Sequence, residues 1–423
     1  MAVFTTPVPP LSRPDVERLS AIALACARQL VAQADIERGP VRWQLESQVA
    51  GVSLYKGDDV LKTSTSGLYC GITDIHGTLD EVLDLFRTDT IERAKDYCQR
   101  IDRSLLDAVQ LFALATPPGP RISVKWLLTK RALGSFVSKR DASVVECDQV
   151  FTQHNGQRGW VRAIQSVPLS SCPSFEATMG YIRATHRGTG HVFLESDHPK
   201  VLHAIYICNV DLGGHVAEWV ATADCKQRCR QLADLDLFLR ENRLSRGGRW
   251  LHPDDMVPVA SRSHCHLCHK AFGVFRKPSR CRRCGEVLCS TCNVLWNVKV
   301  GTHWQPIRAC VVCSLRPPPE TPTNTLEGTC DPVMISDSAC LATNDGLFDT
   351  IVQDETDHLH DACAWLVQSV IHPSTTYSYA TVSSPPYTTS RSTERSNYSD
   401  TYIWNTGQPS ATLVDIGEAK DCF

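Results

Sequence analysis

The feature that most constrains this chain is a group of four Cys-x2-Cys pairs that begin at Cys265, Cys281, Cys289 and Cys310. The chain has 20 cysteines, and eight of them lie in this group. A Cys-x2-Cys turn points both sulfurs at one ion, and eight thiolates complete two tetrahedral sites. A segment this short and this poor in large apolar side chains needs metal to fold. The spacing therefore predicts two Zn²⁺ per chain, with iron–sulfur clusters as the less favoured alternative.

Length and composition set broad limits on the rest of the chain. Its 423 residues exceed one ordinary domain, which predicts two or three structural units. The net charge of -3 does not indicate a nucleic-acid-binding protein. The N-terminus has no basic segment followed by an apolar one, and apolar runs are shorter than a bilayer requires. We expect a soluble protein in the cytoplasm, where paired cysteines bind metal more often than they form disulfides.

The residues before the cysteine group alternate between helical and strand periodicity. Apolar spacing predicts helices over 11–34, 78–86, 91–113 and 217–244. Period-two patterns separated by glycine, proline or polar turns predict strands over 41–75, 121–129, 142–152, 159–168, 179–186 and 191–210. The fold class is therefore α+β, with an antiparallel sheet packed against a long C-terminal helix.

The same patterns divide the chain into five segments. The last of them has 15 acidic and 4 basic side chains and is rich in serine, threonine and proline, which is typical of disorder. It contains one weak helical pattern, at 354–370. The predicted segments are a flexible leader at 1–10, an α+β domain at 11–247, a linker at 248–262, the cysteine-rich finger at 263–315 and a mostly disordered tail at 316–423.

The cysteine spacing resembles that of FYVE-type zinc fingers at every gap. The resemblance implies a cross-brace in which the zinc ligands interleave. RING fingers also interleave their sites, but they place histidine among the middle ligands, and all eight positions here are cysteine, so that family is less favoured. The implied ligands are Cys265, Cys268, Cys289 and Cys292 for one zinc, and Cys281, Cys284, Cys310 and Cys313 for the other.

FYVE domains bind phosphatidylinositol 3-phosphate on endosomal membranes, and the sequence retains part of that headgroup site. The family's basic stretch with two histidines aligns with Lys277–Arg282, where both histidines are absent. The family's Trp-x-x-Asp motif aligns with Met256–Val259 and is lost, whereas the arginine before the seventh cysteine is kept. The implied contacts to an anionic or phosphoinositide headgroup are Lys277, Arg280, Arg282 and Arg308.

The same alignment places Val274 and Phe275 at the tip of the loop that FYVE domains insert into the bilayer. Burial of each side chain is worth at most about 1.5–3 kcal/mol, which alone gives weak binding. From Ser261 to Arg316 the sequence has ten basic residues and one acidic residue, and each basic residue adds about 1 kcal/mol near an anionic surface. Membrane contact is therefore favoured over docking of a protein partner, and nucleic-acid contact is the least favoured.

Three segments of the α+β region resemble START-type lipid-binding domains: Val124–Leu128, Arg140–Cys147 and Gly159–Arg162. The resemblance implies a helix-grip fold, in which an antiparallel sheet curls around the C-terminal helix and holds one lipid between them. A filled core without a cavity is the alternative, because apolar residues that line a lipid and those that contact one another look alike in sequence.

No motif indicates an enzyme. The sequence lacks a Gly-x-Ser-x-Gly elbow, a P-loop, a complete Gly-x-Gly-x-x-Gly and a His-Glu-x-x-His helix. Together these observations predict a zinc-binding, lipid-associated adaptor, peripheral on endosomal membranes, with a lipid ligand in the N-terminal domain. The alternative is a protein-interaction scaffold whose finger docks a protein partner.

Overall fold

A computed structural model describes most of the first 317 residues. The described residues are 8–58, 67–88, 90–116, 119–130 and 138–317, with two short strand segments at 402–404 and 413–414. The chain divides into two units, residues 1–239 with 387–423, and residues 240–386. Most of the leader, the tail and its helical pattern at 354–370 lie outside the described residues. Within them, no helix combines the length and the apolar character needed to cross a bilayer.

Six α-helices occur among the described residues. Side-chain caps fix several of their starts, since Ser12 and Thr78 each accept a bond from a backbone amide of the first turn. Thr78 and Glu81 form the capping box that the sequence predicts. The helices are α1 (Arg13–Ala34), α2 (Leu79–Leu85), α3 (Ile91–Arg100), α4 (Glu176–Met179), α5 (Glu218–Arg230) and α6 (Ala233–Arg246).

The first unit contains one large sheet in the order β1-β2-β3-β10-β9-β7-β6, in which neighbours pair antiparallel. From β6 the sheet continues antiparallel through β5 to β4, and β8 alone pairs parallel with β6. Its strands are β1 (Trp43–Val49), β2 (Val52–Gly57), β3 (Leu68–His76), β4 (Leu105–Ala115), β5 (Arg121–Thr129), β6 (Arg140–Gln153), β7 (Arg158–Ser166), β8 (Ile182–Arg183), β9 (Thr185–Glu195), β10 (Val201–Cys208) and β11 (Val210–Asp211), joined at one end of β6 by β16 (Tyr402–Trp404) and β17 (Leu413–Val414).

Both faces of the central strands of this sheet are buried, because their alternate residues belong to different cores. Val144 and Trp160 face a core that includes residues of α2, α3, α5 and α6. Val145 and Val161, each one position along, face a core made with α1. Period-two alternation thus separates two apolar layers. The predicted α+β class, antiparallel sheet and C-terminal helical region are confirmed.

Several predicted boundaries are wrong. The predicted strands over 179–186 and 191–210 are instead the end of α4 followed by β8, β9, β10 and β11. Two further differences concern helices. The predicted helix over 91–113 ends at Arg100, and residues 105–115 form strand β4. β4 carries register shifts, between Leu105 and Asp107 and again between Gln110 and Phe112, and these shifts break the period-two pattern that marks a strand in sequence. The predicted helix over 217–244 is two helices, because Leu232 makes a tighter i to i−3 bond to Cys229 between them.

Helix α5 approaches the sheet closely at one glycine of β3. A Cβ atom on Gly71 would lie 2.9 Å from the carbonyl oxygen of Cys229 and 3.0 Å from its Cβ atom. Only glycine allows this approach of helix to strand. The contact holds the C-terminal helical region against β3.

A buried ion network lies on the same face of the sheet as α5. Glu146 accepts bonds from Lys125 and, at 2.9 Å, from Arg162. Burial opposes ionisation of Glu146, but these two cations lower its pKa to about 2. Burial and the charge of Glu146 instead raise the pKa of Asp148 to about 6. Ionised Glu146 therefore stabilises the fold above pH 4.5, and this stability is lost as the pH falls toward 2. Protonated Asp148 acts in the opposite direction, because its stabilisation is lost as the pH rises through about 6.

Aromatic rings fill the space beside this network. Phe86 lies 5.2 Å from Trp160, 5.6 Å from Phe193 and 6.0 Å from Tyr97, measured between ring centroids. Burial and nearby Arg162 lower the pKa of His191, another ring of this group, to about 3. A cavity of about 30 Å³ remains, lined by Tyr97, Ile101, Asp102, His191, Tyr206, Arg228, Gln231, Leu232 and Leu235. Its volume is suited to about one water molecule.

We predict that Glu146→Leu lowers the free energy of unfolding of the first unit by about 3–5 kcal/mol, because Arg162 and Lys125 lose their closest carboxylate while buried. Urea unfolding of the full chain, followed by tryptophan fluorescence, measures the loss. The double variant Glu146→Leu/Arg162→Met is the control and is expected to lose less, since it removes both charges. Equal losses in the two variants would contradict this assignment.

Candidate metal centre

The eight cysteines of the finger form two groups of four, as predicted. Within each group the ligand atoms lie within 4.8 Å of one another. The first and third Cys-x2-Cys pairs share one group, and the second and fourth share the other, so the ligands interleave. We call Cys265, Cys268, Cys289 and Cys292 the first zinc site, and Cys281, Cys284, Cys310 and Cys313 the second zinc site.

Two small hairpins hold the ligands. The first hairpin pairs β12 (Pro278–Arg280) with β13 (Val287–Cys289) and sets Cys281 and Cys289 at its ends. The second pairs β14 (Asn293–Val300) with β15 (His303–Cys310) and places Cys310 opposite the residue after Cys292. Gly285, with φ of 78°, makes the left-handed turn after Cys284. Each hairpin thus carries ligands of both sites.

Backbone amides point at the sulfurs of both sites. The amide of Cys289 donates to Sγ of Cys265 at 3.4 Å in the first site. In the second site, the amides of Cys310 and Cys313 donate to Sγ of Cys281 at 3.1 Å and Sγ of Cys310 at 3.3 Å. Burial opposes ionisation of Cys265, but amides of the surrounding backbone lower its pKa to about 7. Four sulfurs with amide support fit zinc, which binds thiolates in tetrahedral sites and supplies the folding energy of such modules.

The apolar core of this unit is small and includes one fully buried residue from outside the predicted finger. Leu288, Trp296 and Val298 are buried with the cysteines. Leu244, which is 1% exposed, joins them from the end of α6. The cysteine spacing gives no indication of this contact. In the sequence, Leu244 lies in the predicted helix over 217–244 and is assigned to the preceding domain.

Three histidines beside the first Cys-x2-Cys pair lie outside both sites. His264, His266 and His269 are exposed. None belongs to a ligand group of the described residues. The all-cysteine ligand set agrees with the prediction.

The predicted headgroup residues lie around β12 and the end of β15. Arg280 donates to the carbonyl oxygen of Pro253 at 2.9 Å, and Arg282 donates to that of Leu251 at 3.2 Å. Arg308 donates to the carbonyl oxygen of Asn293 at 3.0 Å. Lys277 is exposed to solvent. The first two arginines therefore hold the segment that precedes the finger.

That preceding segment lies where the FYVE Trp-x-x-Asp motif aligns. Met256 is 5% exposed, and the amide of Val257 donates to the carbonyl oxygen of Gly285 at 3.1 Å. Val259 takes the position of the acidic residue and is 37% exposed. The backbone of this segment is fastened to the finger, whereas the side chains of the family motif are missing.

Val274 and Phe275 form the two-residue tip of a tight hairpin. Gly273 and Arg276 exchange two backbone hydrogen bonds, of 3.2 and 3.1 Å, across the tip. Val274 is 84% exposed and Phe275 is fully exposed. Phe272, one residue before the hairpin, packs partly against the finger core. The structure thus presents two apolar side chains on a short, anchored turn.

We predict two Zn²⁺ per full chain by elemental analysis, and at most one in Cys281→Ser, because the second zinc site then lacks a thiolate. Cys98→Ser serves as the control, since Cys98 lies outside both sites, and it is expected to keep two ions. A zinc content of two in Cys281→Ser would contradict the assigned ligands.

Comparison with known proteins gives matches for both units. Human RUN and FYVE domain-containing protein 1 is 26% identical over 100 residues, which cover 21% of this chain and 13% of that protein. Zinc finger FYVE domain-containing protein 26 of Bos taurus is 38% identical over 58 residues, 14% of this chain and 2% of that protein. The chain therefore spans a small part of the length of these relatives.

Human StAR-related lipid transfer protein 5 matches in structure with a TM-score of 0.42 and 18% identity, covering 52% of this chain and 95% of that one. The FYVE zinc finger family model matches residues 255–316, a segment that contains all eight cysteines of the two zinc sites.

Proposed function

We propose that the protein is a non-enzymatic, membrane-associated adaptor whose FYVE finger attaches it to anionic membranes. The observation that carries the proposal is the exposure of Val274 and Phe275 at the hairpin tip. Water-exposed side chains of this size have no role in the finger's own core. Transfer of Phe275 into a bilayer removes its apolar surface from water and is worth up to about 3 kcal/mol.

Charge around the tip supports the same role. Lys270 and Lys277 are exposed, and Arg276 is half-buried beside the tip. Each cation near an anionic leaflet adds about 1 kcal/mol, so these residues supply the second signal that two apolar side chains need. We call Lys270, Arg276 and Lys277 the basic collar.

Headgroup recognition is the finer part of the proposal. Lys277, Arg280, Arg282 and Arg308 are the candidate contacts to phosphate, by the FYVE resemblance. The absence of the two histidines and of the Trp-x-x-Asp side chains favours attraction to anionic lipid in general over selection of the 3-phosphate. Location on endosomal membranes is part of the same proposal and depends on that selection.

Vesicle flotation of the zinc-loaded full chain tests this function. We expect flotation with anionic vesicles, none with neutral vesicles, and less flotation at high salt because ions screen the collar. Phe275→Ser is expected to weaken binding at least ten-fold. Leu295→Ser is the matched control, since Leu295 is also an exposed apolar residue of the finger, at 53% exposure, and should leave binding unchanged.

A second comparison distinguishes general attraction to anionic lipid from selection of the 3-phosphate. It uses vesicles with phosphatidylinositol 3-phosphate and vesicles with other anionic lipid at equal charge. Equal flotation supports attraction by charge, and flotation with the 3-phosphate alone supports selective recognition. No flotation with either lipid would refute membrane attachment and leave the protein-docking finger.

The interior of the first unit favours a second candidate function for that unit, a solid scaffold domain. Phe86, Trp160 and Phe193 are at least 95% buried and occupy the space between the sheet and the helices. The 30 Å³ cavity beside them compares with about 300–1,000 Å³ for sites that hold a small molecule. A lipid at this position among the described residues would have to displace these rings.

We therefore predict that the full chain, purified from a lipid-containing lysate, carries well below one lipid per chain. Solvent extraction and mass spectrometry measure the content. Phe275→Ser is used in parallel so that lipid held by the finger is not counted. One lipid per chain in both proteins would contradict the scaffold candidate and support a lipid-binding domain.

A further inference from the structure

The C-terminal end of α6, from Arg240 onward, is part of the second unit. Arg283 of the finger contacts this helix end. This residue stands between Cys281 and Cys284 of the second zinc site. Its guanidinium donates to the carbonyl oxygens of Gly247 and Gly248, both at 2.7 Å, and to that of Leu244. It also donates to the carbonyl oxygen of Arg249 at 3.0 Å.

One of these acceptors, the carbonyl oxygen of Leu244, belongs to the last turn of α6. The last four carbonyls of an α-helix have no partner inside the helix and carry partial negative charge. Leu244 is such a residue, and the carbonyl oxygens of the three residues after Arg246 accept from the same guanidinium. The ring of Trp250 lies 3.8 Å from the guanidinium carbon and covers its other side. Arg283 therefore acts as a C-cap supplied by the finger.

The same helix also covers the open edge of β14. The amide of Asn297 donates to Oε1 of Glu241, and the amide of Lys299 donates to Oγ of Ser245, both at 2.8 Å. Helix residues four apart thus satisfy strand amides two apart. Leu244, between them, enters the finger core.

We propose that zinc binding at the second zinc site and helix formation at the C-terminal end of α6 are one coupled equilibrium, with Arg283 as the positioning residue that links them. Arg283 is not one of the ligand cysteines, but its backbone amide donates to Sγ of Cys281 at 3.4 Å, so the conformation of the ligand turn sets the direction of its side chain. Loss of the ion releases that turn. The guanidinium then leaves the helix end, and residues 240–246 fray.

The coupling works in both directions by linkage. Whatever stabilises the capped helix end also stabilises the zinc-bound finger by the same factor. A variant without the guanidinium is therefore expected to bind zinc at the second site more weakly, even though all four thiolates remain.

Hydrogen exchange of the full chain, read by mass spectrometry over residues 240–249, tests the proposal. Removal of zinc with a chelator is expected to speed exchange there at least ten-fold, while the peptide that contains α1 stays unchanged. Zinc-loaded Arg283→Ala is expected to show the same faster exchange at the helix end. Competition with a chromophoric chelator should show that Arg283→Ala binds one of its two zinc ions about ten-fold more weakly than the wild-type chain does.

Arg282→Ala is the matched control, because it removes an equal charge from the next residue, whose guanidinium holds Leu251 and not the helix. It is expected to exchange as wild type over 240–246. If Arg283→Ala does not hold two zinc ions, Arg283→Met replaces it, since it keeps a long unbranched side chain but removes every donor of the guanidinium. Unchanged protection of 240–246 after zinc removal, or in zinc-loaded variants that lack the contact, would overturn the proposal.

Discussion

Bonds between zinc and cysteine thiolates are the interaction on which the second unit depends. Its buried apolar side chains are few, and Trp296 is the largest of them. Burial of so small a core does not offset the conformational entropy of ordering two hairpins and their loops. The interleaved ligands solve this problem, because each hairpin contributes to both sites and neither hairpin can leave without breaking both.

The sequence predicted this centre well because metal coordination is discrete. A tetrahedral site takes four thiolates, and a Cys-x2-Cys turn presents two, so eight cysteines at those gaps leave few arrangements. The strand over 142–152 was readable from its period-two alternation, whereas the separate faces of Val144 and Val145 were not, because both side chains are apolar. Strand β4 was not readable, because its register shifts at Asp107 and Phe112 remove that alternation.

The role of α6 in the finger was beyond the reach of sequence patterns for another physical reason. Arg283 occupies the position between two ligands, where any side chain satisfies the zinc spacing, and its partners are backbone carbonyls, which leave no trace in residue identity. Leu244 likewise fits the stripe of a domain helix. Contacts between a side chain and a distant backbone require the fold to be known before they can be inferred.

The basic residues of the finger have two kinds of surroundings, and this division bears on how the finger would meet a membrane. Arg280, Arg282 and Arg283 donate to backbone carbonyls of the preceding segment or of the helix end, and they hold the chain before the finger in place. Lys270 and Lys277 lie exposed beside the apolar tip. In the proposed attachment, a bilayer that receives Phe275 lies close to the basic collar. Attraction through the collar depends on the density of negative charge at the surface, whereas selection of one phosphate position needs donors fixed around it. Three of the four candidate donors, Arg280, Arg282 and Arg308, already hold backbone oxygens.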